Sequence, residues 1–295
     1  PIGFSDLTTF GIGGRIENYF EVEDKEGIDK ALDYAKSKKL PVFIIGDGSD
    51  ILASEKDFKG VVIKYVRRGY ELDTKNNELI SYAGTNWDDL VDFSVDNGLH
   101  GLGCLSGIPG TVGASPIQNI GAYGAEIKDV FKSLKAYDLK KRKYVDFDKE
   151  DCKFGYRESI FKIKEYWQKY LILSVTFKLN KSGKTNISYE SLKGVVDDGA
   201  DIMDVRKAIL KVRSEKLENP KEHGNAGSFF QGHSCAMGLL CAARRKTPHG
   251  AHTGAQWRPD TPAAQPHGKG SQYLRGRRAP HHLRPGRGQS PDRRD

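Results

Sequence analysis

The chain has 295 residues, of which 37% are hydrophobic and 29% charged, and a formal net charge of +8. No apolar run approaches the ~18–20 residues that a bilayer-spanning helix needs, which excludes membrane insertion by a helix, and the length suits about two domains of ~100–200 residues. The charge is confined to one end: residues 1–230 hold 35 Lys and Arg against 36 Asp and Glu, while residues 231–295 hold 12 against 3, so the excess gives no ground for a specific nucleic-acid partner.

In chain order, Pro1 stands where a methionine would, so a few residues are expected to precede it. Asp24 is placed to cap an amphipathic helix over residues 26–39, in which Ile28, Ala31, Leu32 and Ala35 repeat at i, i+3, i+4 and i+7. Val42-Phe43-Ile44-Ile45 reads as a buried strand entering the glycine-rich loop Gly46–Ser49. Further strands are predicted at Gly60–Tyr65 and Leu79–Ala83. A helix follows from Asn86 to Asn97, ended by Gly98. Residues 171–177 alternate as a half-buried strand, and a last helix spans about residues 202–214.

The cysteines, Cys104, Cys152, Cys235 and Cys241, form no C-x-x-C pair and no regular spacing, which fits a reducing, cytoplasmic setting. From residue 231 onward there is no Ile, Val, Phe or Glu, and 7 of the 12 prolines fall there. Such a segment supplies neither strands nor an apolar helix stripe, so it is expected to be disordered. Basic usage changes from lysine to arginine at the same point, so the tail reads as an out-of-frame or foreign translation; the alternative is a natural disordered basic tail. His249, His252, His281 and His282 lack an ordered scaffold there, and no metal site is expected.

A second glycine-rich connection runs from Gly107 through Ser115 to Gly124. Glycines at this density let backbone approach a ligand and aim N–H groups at it, the usual way to hold a pyrophosphate. Each loop alone is equally readable as an ordinary turn, but two in a near-neutral body favour a dinucleotide site. Neither reads as G-x-G-x-x-G or as a P-loop. Asp47 would repel a diphosphate unless its carboxylate points away.

Three more clusters bear on chemistry. Arg157, in Phe154–Ser159, is suited to a carboxylate or an enolate charge, or to a plain salt bridge with Glu158. Arg213 and Lys216 close a helix, where helix-dipole effects alone favour cations. Gly224–Phe230 delivers Ser228 from a small-residue turn without G-x-S-x-G or a triad histidine, making it a proton or hydrogen-bond donor rather than a nucleophile.

Thr8–Gly14 (TTFGIGG), Gly46–Leu52 (GDGSDIL), residues 108–124 (IPGTVGASPIQNIGAYG), Tyr156–Ser159, Arg213–Pro220 and Gly224–Phe230 (GNAGSFF) resemble, in content and order, the UDP-N-acetylenolpyruvoylglucosamine reductase (MurB) family. The resemblance covers about residues 8–230. It implies an α+β protein with a two-part FAD-binding fold of the vanillyl-alcohol-oxidase-like kind. Residues 1–180 would form the FAD domain, in subdomains of about 1–65 and 66–180, and residues 181–230 would begin a C-terminal substrate-binding domain that is truncated or replaced here.

By motif position the resemblance assigns FAD to Gly46, Asp47, Gly48, Ser49, Asp50, Ile51, Pro109, Gly110, Val112, Gly113, Ser115, Ile120, Gly121 and Arg213. Arg157 and Ser228 would be catalytic, and Tyr189, Lys216 and Asn119 would bind substrate. The implied activity is NADPH-dependent reduction of UDP-N-acetylglucosamine enolpyruvate to UDP-N-acetylmuramate, in bacterial peptidoglycan synthesis, by a cytoplasmic monomer. Departures begin after GSFF: Gln231-Gly232-His233 replaces the family's Lys-Asn-Pro, and no glutamate follows Glu222 where a late catalytic one is implied. The chain is therefore expected to be impaired. The alternative is a non-catalytic flavin-binding protein with a basic tail.

Overall fold

After one helical turn, α1 (Phe4–Leu7), the chain lays down β1 (Ile16–Val22), α2 (Lys25–Lys38), β2 (Val42–Ile45) and β3 (Phe58–Tyr65). The structure, a computed structural model, describes residues 2–182, 200–217, 219–220 and 222–227. Asp24 caps α2 by accepting from the Gly27 N–H at 2.8 Å. The strands run parallel in the order β1-β3-β2. Being central, β3 is apolar on both faces: Val61 and Ile63 share a buried cluster with Ile28, Ala31, Leu32 and Ala35 of α2. Val62 joins Phe4, Ile16, Phe43 and Ile45 on the other side.

A larger antiparallel sheet follows, built from β4 (Tyr70–Asp73), β5 (Glu78–Tyr82), β8 (Phe131–Asp138), β9 (Lys143–Asp148) and β10 (Tyr170–Lys178). Its order is β4-β5-β10-β8-β9. Between β5 and β8 come α3 (Trp87–Asp96) and a small hairpin of β6 (Gly121–Ala122) and β7 (Ala125–Glu126); α4 (Lys149–Cys152) follows β9. Asn86 caps α3 by accepting from the Asp88 and Asp89 N–H groups. Trp87 fixes that helix to the sheet, its ring meeting Phe177 edge-on at 5.9 Å while its indole N–H donates to the Leu105 carbonyl at 3.0 Å.

Gln168, just ahead of β10, ties that strand's approach to the first sheet: its amide accepts from the Ile44 N–H at 2.5 Å and donates to the Ile44 carbonyl at 3.2 Å. It thereby satisfies the edge of β2, which has no strand partner on that side. The last described helix, α5 (Ile202–Lys216), is capped by Asp201 and buries Val205 and Ile209 against Cys104. Burial pushes the Cys104 thiol up to about 11 and the Cys152 thiol up to about 12. Both side chains are buried in the interior. Among the described residues no helix is long and apolar enough to cross a membrane.

Candidate functional site

Four glycine-bearing segments that are far apart in sequence meet along one cleft. The loop after β2 is flanked by the N-terminal segment, where the Thr9 N–H donates to the Gly48 carbonyl at 3.3 Å, and by the second glycine loop, where the Ser49 hydroxyl donates to the Pro109 carbonyl at 3.2 Å. Thr9 also receives the turn that precedes Ser228: its hydroxyl donates to the Asn225 carbonyl at 2.7 Å and its carbonyl accepts the Asn225 N–H at 3.1 Å. The cleft they enclose measures about 2380 Å³. That exceeds the ~300–1,000 Å³ of a pocket for one drug-sized ligand.

The two loops do different work. The N–H groups of Gly48, Ser49 and Asp50 donate to no acceptor among the described residues, and this stretch lines the cleft. Consecutive open amides of this kind attract a diphosphate. Asp47 is no obstacle, because its carboxylate pairs with Lys64 Nζ of β3 at 2.9 Å. In the second loop three N–H groups are engaged by scaffold: Val112 donates to Thr85, Gly113 to Ala83 and Ser115 to Val112. The second loop is a wall, made thin by glycine: a Cβ on Gly113 would lie 2.6 Å from that of Ala83.

Gly46, Asp47, Gly48, Ser49, Asp50, Ile51, Pro109, Gly113, Ser115, Ile120, Gly121, Arg157, Arg213 and Lys216 all line the cleft. Gly110 instead faces Ser49, and the Val112 side chain is fully buried in the core. Asn119 is also fully buried, its amide donating to the Gly155 carbonyl at 2.8 Å and accepting the Lys128 N–H at 3.0 Å. It holds the loop in a left-handed turn (φ 44°) and leaves no side-chain atom for a ligand. Ser228, Tyr189 and the tail from residue 231 lie outside the described residues.

Arg157 is presented from another left-handed position (φ 56°), with its carbonyl accepting from Lys162 Nζ at 2.9 Å. One guanidinium nitrogen, Nη2, donates to the Gly121 carbonyl at 2.5 Å; the other, Nη1, is buried without a hydrogen-bond partner and lies 3.8 Å from Glu126 Oε1. The guanidinium as a whole lines the cleft, and a cation there suits an oxyanion. Tyr65, on the same wall, is pushed up to about 12 by burial and stays neutral. Sequence reasoning did not find Lys64, Gln168 or Glu126. The signal for Lys64 was present: it is the one cation in the apolar run Val61–Tyr65.

A family model described as an FAD binding domain matches residues 16–145. The chain is 38% identical to the UDP-N-acetylenolpyruvoylglucosamine reductase of Pseudomonas syringae pv. syringae (strain B728a), over 84% of this chain and 74% of that protein. It is 39% identical to the protein of the same name from Flavobacterium johnsoniae, over 77% of this chain and 68% of that one. The crystal structure of UDP-N-acetylenolpyruvylglucosamine reductase (MurB) from Thermus caldophilus superposes with a TM-score of 0.58 at 23% identity, covering 77% of this chain and 71% of that one; the likeness is one of fold. On these identities and this coverage, the chain belongs to the UDP-N-acetylenolpyruvoylglucosamine reductase family of FAD-dependent oxidoreductases.

Proposed function

We propose that this chain reduces UDP-N-acetylglucosamine enolpyruvate to UDP-N-acetylmuramate with NADPH as reductant, the reaction that its family membership and its cleft together support best. The observation that carries this reading is the presence, in one cleft, of the open amides at Gly48–Asp50 and the Arg157 guanidinium. FAD fits the residues present: the open amides suit its diphosphate, and the glycine at 113 lets the second loop pack directly on Ala83 as the cleft wall. Residues 1–180 would hold it, with subdomains of about 1–65 and 66–180, and residues 181–230 would begin the substrate domain.

When bound, FAD supplies two-electron chemistry, accepting hydride from NADPH and delivering it to the enolpyruvyl double bond. The chain's own residues bind, orient and protonate. Arg157 holds the substrate carboxylate and the negative charge that develops beside it, at a buried position where such a contact is strongest. Ser228 holds the proton for the neighbouring carbon, Tyr189 and Lys216 bind the substrate diphosphate, and Arg213 meets FAD. Asn119 serves by fixing the loop beneath Arg157.

Gln231-Gly232-His233 stands where the family resemblance implies Lys-Asn-Pro, so turnover is proposed to be impaired relative to an intact relative. The test is anaerobic: flavin in the purified chain is bleached by NADPH, then the enolpyruvyl sugar nucleotide is added. Slow reappearance of the oxidised spectrum, dependent on that substrate, is expected. A flavin that NADPH bleaches and the substrate never restores would overturn the reading in favour of a protein that only binds flavin.

A further inference from the structure

Arg206 of α5 is a buried cation outside the cleft, 7% exposed, and it is fully partnered. Its Nη1 and Nη2 donate to the two oxygens of Asp88 at 2.7 and 3.0 Å, and its Nε donates to Asp92 at 2.8 Å. Asp88 Oδ1 also accepts the Gly107 N–H, at 2.6 Å, and Gly107 opens the second glycine loop. The same glycine, at φ +70°, packs against Arg213: a Cβ there would lie 2.9 Å from Arg213 Nε. Arg206 and Arg213 are two turns apart, on one side of α5.

We propose that Asp88 and Arg206 are positioning residues, a clamp that sets the register of α5 against the cofactor loop and so places Arg213 and Lys216 in the cleft. A buried ion pair is a weak device for stability, since apolar residues of like volume serve as well. What a forked guanidinium–carboxylate contact fixes is geometry. Burial alone would raise the Asp88 carboxyl, but Arg206 and the Gly107 N–H more than offset this and hold it below the usual carboxylate range. The clamp is therefore charged at neutral pH. Its kinetic consequence rests on the reductase reading; its effect on FAD affinity does not.

The test compares Arg206→Met and Arg206→Lys with the unaltered full chain, stripped of flavin and titrated with FAD by flavin fluorescence. The FAD dissociation constant is expected to rise about tenfold in Arg206→Met and by less in Arg206→Lys, which keeps the charge but not the fork. KM for the sugar nucleotide should rise in parallel, while bleaching of bound flavin by NADPH keeps its rate. An FAD dissociation constant within twofold of the unaltered chain, whatever the melting temperature, overturns the clamp. Should Arg206→Met fail to fold, Arg206→Lys decides alone. If the unaltered chain never turns substrate over, the reductase reading fails and the FAD titration still judges the clamp.

Discussion

Replacing Arg157 by lysine is expected to slow substrate-dependent reoxidation of the flavin by about 10²–10³-fold while leaving its reduction by NADPH unchanged. The geometry suits a fork: Nη2 donates to the Gly121 carbonyl, and the remaining N–H groups of the same planar guanidinium are left to meet the substrate carboxylate. Lysine keeps the charge at the end of a flexible stem and cannot serve both partners in fixed directions. The guanidinium also lies 5.1 Å from the Tyr156 ring, which further sets its plane. Single-turnover stopped-flow spectroscopy of each half-reaction reads the split. Equal losses in both halves would mean that Arg157 merely supports the fold, and no loss would remove it from the mechanism.

Gly113→Ala is expected to weaken FAD binding by about 10–100-fold, the equivalent of a ~1–3 kcal/mol overpacking cost. The added methyl would lie 2.6 Å from the Ala83 Cβ, and neither side can yield easily. Gly113 donates to the Ala83 carbonyl and Ala83 donates to the Leu173 carbonyl, so both are backbone positions pinned into the large sheet. Displacing them moves the cleft wall. The second-site change Ala83→Gly removes the clash and should recover most of the affinity. Flavin fluorescence titrations of the single and double variants measure this, and a Gly113→Ala chain with unchanged affinity would show that the wall is not part of the cofactor site.

Where the sequence pattern was strong, the fold was legible. The α2 stripe of Ile28, Ala31, Leu32 and Ala35 is buried as its spacing implied, and the apolar run Val42–Ile45 is strand β2. β1, β4, β8 and β9 were not anticipated, for reasons of position. β1 and β9 are sheet edges in which Glu17, Asn18, Asp146 and Asp148 interrupt the apolar positions. β8 is internal but carries exposed Lys132 and Lys135, three positions apart and so on opposite faces, which breaks the alternation in a window rich in charge. The site was legible as motifs but not as geometry. Gly46–Asp50 and Arg157 announced themselves by composition, whereas the engagement of the Asn119 amide by Gly155 and Lys128 depends on a left-handed turn that no residue pattern specifies. Asp88 and Arg206 lie 118 positions apart, and only folding brings them together.

The reading as a whole stands on FAD occupying this cleft through the amides of Gly48–Asp50. Equilibrium titration of the flavin-stripped chain with FAD, followed by quenching of flavin fluorescence and by the shape of the visible spectrum, tests this directly. Saturable, stoichiometric binding is expected, with competition by ADP because the diphosphate is held by backbone. A folded chain that leaves FAD fluorescence unquenched at any concentration, or binds riboflavin as tightly as FAD, would contradict it.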